Sequence, residues 1–406
     1  MVRRSPRPAP EIGPSPSGDL PRLGMLREMT DEAVMAQVFA RARVTRAELA
    51  TLTGISKPTT WQSVRRLEEA GVLQPAGPDD TGRRGRVATF YELPPDAGWV
   101  FALQIDQSGL RLESLDLTGR VFFDRHHPPG PPGDAPALIT ALRKALTQTL
   151  TAGAAHGPVR GGVISLANPV DPVTNHIIAM PDSPFPEGQA PLDQVLGDLI
   201  AAPVTVDNDV NLAAAAERAS GVAAGVDDFA YLYVGAGMGM GLYIAGRPVR
   251  GAHGLAGEVG ELSAAAARRP TLARAFHQSG FGTEGGPSVR VDDVLRAMDA
   301  SGELPDSVLT IAGVIAQAVV ATCAIVDPAL FVLGGPIGSH PALLEPVRAA
   351  VRNIWPGPVR IESSTTGDHP ALRGAAGLAL ARGRAALLAS VNGMSGDQPV
   401  GEPRDR

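Results

Sequence analysis

The chain has 406 residues and a single cysteine, which excludes an intramolecular disulfide and any multi-cysteine metal site. With 42 acidic residues against 36 basic ones the net charge is −6, so attraction to nucleic acid has to come from a local patch. Hydrophobic content of 44% with 4% aromatics suits helices packed closely on sheets, and the length predicts two or three domains rather than one core. Residues 1–24 are rich in Pro, Ser and Arg with little to bury, which predicts a disordered tail.

Residues 25–93 predict a DNA-reading module. A helix carrying Ala47, Leu49, Ala50 and Leu52 ends at Gly54, which is free to take a positive φ. Ser56 then caps a second helix, with Pro58 in its first turn. From Ser56 onward this helix is expected to present Lys57, Thr59, Thr60, Gln62, Ser63 and Arg66 outward and to pack through Val64, Leu67 and Ala70. Two short helices around a tight glycine turn, with small polar or basic residues on the second, fit the major groove. The run from Gly82 to Arg86 and the extended stretch Val87 to Leu93 then predict a wing. Its Arg83, Arg84 and Arg86 would meet phosphates or a narrow minor groove. The plainer alternative is a helical hairpin with a solvated face and an arginine-rich loop.

From Gly98 the periodicity changes. WVFALQID, LRLESLDL and GRVFFDRHH predict three strands, with hairpin turns at Gly109 and Gly119. A helix (ALITALRKALTQTLTAG), a buried strand (VRGGVISLA) and a proline-rich loop from Asn168 to Gln189 follow. PVTVDNDVN predicts a strand running into the helix LAAAAERASG, and FAYLYVGAGMGMGLYIAG predicts two strands joined by a glycine turn. The helix VLTIAGVIAQAVVATCAIV leads into the strand of DPALFVLGGPIG, and ALRGAAGLALARGRAALL is the last helix before a tail expected to be disordered from 391. Strands followed by helix–strand alternation, twice over, predict two α/β lobes with a cleft at the strand ends. No apolar run of membrane-spanning length and no signal-peptide core is read here, so the expected setting is soluble and cytoplasmic. Cys323, in an apolar helix, is expected to be buried packing.

Three glycine-marked segments carry candidate chemistry. Gly235 to Gly241 either turns backbone N–H groups toward an anion or is a tight hairpin. Asp207, Asn208, Asp209 and Asn211 either cap a helix or point into the cleft, where carboxylates and amides can fork sugar hydroxyls. Gly334-Gly335 lets a helix start close to a nucleotide, or simply packs.

Together these segments resemble the ROK family (repressors, open reading frames and sugar kinases) over essentially the whole folded chain. The family signature G-x-x-G-x-A-G-E-x-G-H corresponds to Gly251 through Glu261, E-N-D-x-N to Asp207 through Asn211, and G-G-x-I to Gly334 through Ile337. The resemblance implies a two-lobed actin-like ATPase (ROK sugar-kinase) α/β fold over 94–390, behind the winged helix-turn-helix that marks the repressor branch. It implies sugar contacts at Asn208, Asp209 and Glu258, with Asp209 standing where kinase members place a general base. Asn168 lies in the segment matching the family's P-G-P turn, here Ala167-Asn168-Pro169.

The departures from that pattern turn the expectation away from catalysis. The D-x-G-x-T phosphate hairpin reads Asp106-Gln107-Ser108-Gly109-Leu110, without threonine and about two residues short, so it should hold ATP poorly. Glu261 replaces the zinc-ligand histidine, and the cysteine loop that should follow it has no cysteine, so no metal or other cofactor is expected. The expected protein is a non-enzymatic, sugar-responsive transcriptional regulator, a repressor of carbohydrate-utilisation genes. It would bind double-stranded operator DNA as a homodimer or dimer of dimers, with a sugar or sugar derivative as effector at Asn168, Asn208, Asp209, Glu258 and Glu261. The alternatives are an active sugar kinase that also binds DNA, and a ligand-blind dimerisation platform.

Overall fold

The computed structural model describes residues 23–78, 88–131, 133–180, 183, 185–263, 271–284 and 288–395. The chain divides into two compact units, residues 1–94 with 388–406, and residues 95–387.

The first unit opens with α1 (Leu23–Arg41), whose Val34, Met35, Val38 and Phe39 are buried at helical spacing. β1 (Arg43–Thr45), α2 (Arg46–Thr53), α3 (Lys57–Glu69), β2 (Gln74–Pro78) and β3 (Thr89–Glu92) follow. Thr45 and Glu48 cap α2 reciprocally, and Gly54 ends it at φ 70°, where a side chain would be strained. The strands pair antiparallel in the order β1-β3-β2, and Val44, Leu49, Val64, Leu67 and Tyr91 are buried. The expected wing-tip residues Arg83, Arg84 and Arg86 lie outside the described residues.

The second unit contains two five-stranded sheets of one design. β4 (Trp99–Asp106), β5 (Gly109–Asp116) and β6 (Val121–His127) form a meander; α4 (Ala135–Gly153), β7 (Val159–Leu166), α5 (Leu192–Leu199) and β8 (Val204–Asn208) complete the first sheet, in the order β6-β5-β4-β7-β8. Then α6 (Asp209–Ser220) leads to β9 (Phe229–Val234), β10 (Met238–Ile244) and β11 (Arg247–Val249). α7 (Leu272–His277), α8 (Val291–Asp299), α9 (Asp306–Ile325), β12 (Leu330–Gly334), α10 (Gly335–Gly338), α11 (Pro341–Ile354), β13 (Ile361–Ser363) and α12 (Pro370–Ser395) close the chain. The second sheet runs β11-β10-β9-β12-β13, so each sheet is an antiparallel meander extended by two parallel strands.

α9 corrects one expectation. By length and composition it is apolar enough to cross a membrane, yet Val308, Ile311, Ile315 and Val319 are buried in the core of the second lobe. α12 continues to Ser395, past the expected end of the folded part at 390. The helix start allowed at Gly334-Gly335 is α10, whereas the short helices α7 and α8 and the longer α11 have no counterpart in the sequence pattern.

Candidate functional site

The exposed face of α3 is set by what the helix buries. Ser56 accepts from the Thr59 N–H at 3.4 Å and starts the helix, with Pro58 in the first turn. Lys57, Thr59 and Gln62 are exposed as expected. Thr60 and Ser63 are not: both are fully buried. The Thr60 hydroxyl donates to the Ser56 carbonyl at 3.1 Å, and the Ser63 hydroxyl donates to Asp31 of α1. Arg66 is half-buried and also spent on Asp31, its Nη2 lying 2.7 Å and its Nε 3.3 Å from the carboxylate oxygens. The expectation that these three face outward is corrected. Ser63 and Arg66 form a brace between α1 and α3, because a buried carboxylate needs partners around it, while Thr60 is bonded within its own helix. The helical period counted from Val64 and Leu67 instead turns Trp61 and Arg65 outward, neither of them a small polar side chain.

In the second unit, the β4–β5 hairpin closes on Gln107 and Ser108 alone, with Asp106 paired opposite Gly109. Gly109 takes φ 113°, and a Cβ there would collide with the His127 carbonyl. The Asp106 carboxylate accepts from the Ser108 N–H at 2.7 Å and from its hydroxyl, so the hairpin that should face a phosphate is folded onto itself.

At the end of β8, Asp207 is buried and ion-paired with Arg250, which anchors the following Gly251–Gly260 loop. The Asn208 side chain caps α6, accepting from Val210 and Asn211 N–H at 2.9 and 3.2 Å, and donates to the Asn168 carbonyl at 3.3 Å. Asn168 itself is buried, its amide donating to the Phe185 carbonyl and its oxygen accepting from Ser183 at 2.7 Å. The expected ligand roles of these two asparagines therefore give way to building the floor of the site.

Asp209 and Glu258 are the carboxyls left with capacity. Burial first, then the Asp106 charge, pushes Asp209 up to about 7 against the hydrogen bond from the Val210 N–H; Glu258 raises it further. Burial and the neighbouring Glu261 push Glu258 to about 7 as well. Glu261 is exposed at the rim. The loop reaches this position because Gly257, at φ 95°, lies against the Met240 carbonyl, and Gly254, at φ 71°, against that of Val170.

The glycines between β9 and β10 form a hairpin turn, with the Gly235 N–H donating to the Gly237 carbonyl at 2.9 Å. Gly241 is needed for packing, since a Cβ there would lie 2.8 Å from the Ala214 methyl and the Val210 carbonyl of α6. Tyr233 occupies the room beside both glycine turns. Its ring is 2.8 Å from where a Cβ on Gly335 would stand, and its hydroxyl 2.5 Å from one on Gly235. Burial and the Asp209 and Asp106 carboxylates push its phenol pKa upward.

No group of three or more His, Cys, Asp or Glu able to hold a metal occurs among the described residues. Cys323 is buried in α9 and Glu261 is a carboxylate, so the donors present do not fit a thiolate zinc site; residues 264–270, where the family's loop would fall, lie outside the described residues.

Fold and site define a class: a winged helix-turn-helix module joined to a two-lobed, actin-like, sugar-kinase-type domain. The ROK family matches residues 124–273, and a winged helix-turn-helix DNA-binding family matches residues 29–74. The chain thus carries a segment matching the ROK family behind a segment matching a winged helix-turn-helix. It is 35% identical over 166 residues to the bifunctional enzyme NanE/NanK of Brucella suis biovar 1, a match covering 40% of this chain and 31% of that enzyme. It is 22% identical over 237 residues to the xylose repressor of Caldicellulosiruptor bescii, covering 58% of this chain and 59% of the repressor. The chain thus spans less than two thirds of the length of these curated relatives. A crystal structure of a ROK family transcriptional regulator, homologous to the E. coli MLC protein, superposes with a TM-score of 0.66 at 18% identity, over 91% of this chain and 99% of that one. That likeness supports the fold.

Proposed function

We propose that the protein is a sugar-responsive transcriptional repressor. In this reading, α3 and the wing engage double-stranded operator DNA, with Lys57, Thr59 and Gln62 on the reading face and Arg83, Arg84 and Arg86 on phosphates. Asp209 and Glu258, with Glu261 at the rim, accept hydroxyls of a carbohydrate effector. The protein acts as a homodimer on paired half-sites, as helix-turn-helix proteins generally do. The observation that supports the reading is the combination of retained sugar-side carboxyls with a phosphate hairpin bonded to itself. Tyr233 stands beside both glycine turns, and Asp106 is bound to its own hairpin. A carboxylate without a positioned phosphoryl donor transfers nothing.

A second reading, an active ATP-dependent sugar kinase, draws on the 35% match to a bifunctional enzyme. An ADP-release assay with glucose, xylose, N-acetylglucosamine and N-acetylmannosamine separates the two. The repressor reading expects no turnover above that of Asp209→Asn, and enzyme-like turnover in the unmodified protein overturns it. The same sugars, added to a duplex selected from a randomised library, should include one that releases the protein from DNA.

A further inference from the structure

We propose that Trp61 is a specificity-determining residue of the DNA-reading helix, its indole packing on a thymine methyl in the major groove between the cationic side chains of Lys57 and Arg65. The inference rests on the DNA-binding reading and names the base feature that is read.

The geometry of α3 carries it. Thr60, Ser63, Val64 and Leu67 are fully buried, so the opposite face is fixed outward. Lys57, Trp61 and Arg65 follow at intervals of four and share one stripe of that face. Trp61 is 52% exposed, whereas Trp99 is 1% exposed, so α3 keeps a large aromatic in water in a chain that otherwise uses few. Such a side chain in the middle of a helix face, with a cation one turn to either side, suits a polyanion presenting apolar spots. In the major groove the thymine C5 methyl is that spot, and it is the apolar mark that separates T·A from the other pairs. Among the described residues Arg65 is held only by Glu69, at 2.7 Å in a solvent-exposed pair, which it can leave for a phosphate at little cost. Lys57 sits in the first turn, where the positive end of the helix dipole also favours a phosphate. The Asp31 brace holds the helix in this rotation.

The test uses the full-length chain and duplexes enriched from a randomised library. In the enriched sequence each thymine is replaced in turn by uracil, which removes the methyl alone. For the unmodified protein, one thymine position per half-site should lose about fourfold in affinity on replacement, the worth of one buried methyl. Trp61→Ala should bind thymine and uracil duplexes equally at that position, and Trp61→Phe should keep part of the difference. Arg65→Gln should lower the salt dependence by about one phosphate without moving the preferred sequence. Equal uracil sensitivity in the unmodified protein and Trp61→Ala overturns the assignment to Trp61, as does a Trp61→Ala variant that changes only self-association. Failure of the unmodified protein to enrich any duplex overturns the DNA-binding reading itself.

Discussion

Asp209 and Glu258 make stability depend on pH in a determined direction. In the unfolded chain both carboxyls ionise near pH 4, whereas in the folded protein both are pushed to about 7. Between those values the unfolded chain binds fewer protons than the folded one, so stability falls as pH rises from about 4 to about 7. Below that window both states are protonated and nothing is lost. Asp209→Asn removes one of the two strained ionisations, so its melting temperature should exceed that of the unmodified protein at pH 8 and converge with it near pH 4. A difference that stays flat across pH would show that Asp209 is not held in its neutral form. Asp31 is a second residue whose worth can be measured. It is 5% exposed and receives Ser63 and Arg66, so Asp31→Ala leaves a hydroxyl and a guanidinium without their acceptor. Loss of about 2–3 kcal/mol in denaturant unfolding of the winged helix is expected, with weaker duplex binding because α3 loses its rotation. A change under about 0.5 kcal/mol would remove the brace from the account.

At the scale of elements, α6 links the cleft to the last helix. Its first turn carries Asp209, and near its other end Glu217 is fully buried. Glu217 accepts from the Val222 N–H at 3.0 Å, the Thr365 N–H at 3.2 Å, the Thr366 hydroxyl at 3.1 Å and the Ser364 hydroxyl, and so pins the segment between β13 and α12. Gly374 lets α12 lie against the Leu212 carbonyl of α6. Glu217→Ala orphans several buried donors and should cost about 3 kcal/mol or more, and Glu217→Gln less, because one acceptor oxygen remains. Urea unfolding with an unchanged slope measures both, and an Ala variant as stable as the Gln variant would mean that water replaces the carboxylate.

Elements of this kind differ in how far the chain announces them. The strand WVFALQID is observed over Trp99–Asp106, and α4, β7 and α9 fall where apolar runs of the right length lie. Local pattern suffices there because β4, β7 and much of α9 are buried all round, and α4 repeats its buried leucines at helical spacing. It fails where a distant partner decides. Ser63 is polar, and Asp31, on another helix, turns it inward, while the Thr60 hydroxyl is bonded to the Ser56 carbonyl. Asn168 and Asn208 have the chemistry of sugar ligands, yet their side chains are spent on the backbone and on Ser183. The glycines of β10 admit two explanations from sequence, and the approach of Val210 and Ala214 makes packing the answer for Gly241. α11 was missed because it is amphipathic without a Ser, Thr, Asp or Asn start signal: His340 is its cap.

For the whole molecule, the two units have to exchange free energy for the repressor reading to hold. α12 belongs to both, its residues to Leu387 in the second unit and those from Leu388 in the first, with Val391 buried. Two ligands on one molecule obey a reciprocal rule: the factor by which sugar weakens duplex binding must equal the factor by which duplex weakens sugar binding. For a coupling of about 1–3 kcal/mol this factor lies between about 5 and 150. Anisotropy titration of a labelled, selected duplex with and without saturating sugar gives one arm. Calorimetric titration of the same sugar into free and duplex-bound protein gives the other. Equal factors in that range are expected. Factors of one in both arms, with sugar and duplex each bound, would mean that the cleft reports nothing to α3. A sugar that does not bind at all would reduce the second unit to an assembly platform while leaving the DNA-reading face of α3 intact. Unequal factors would require a third linked equilibrium, such as dissociation of a dimer, which repeating both titrations across protein concentration would reveal as a shift in one arm only.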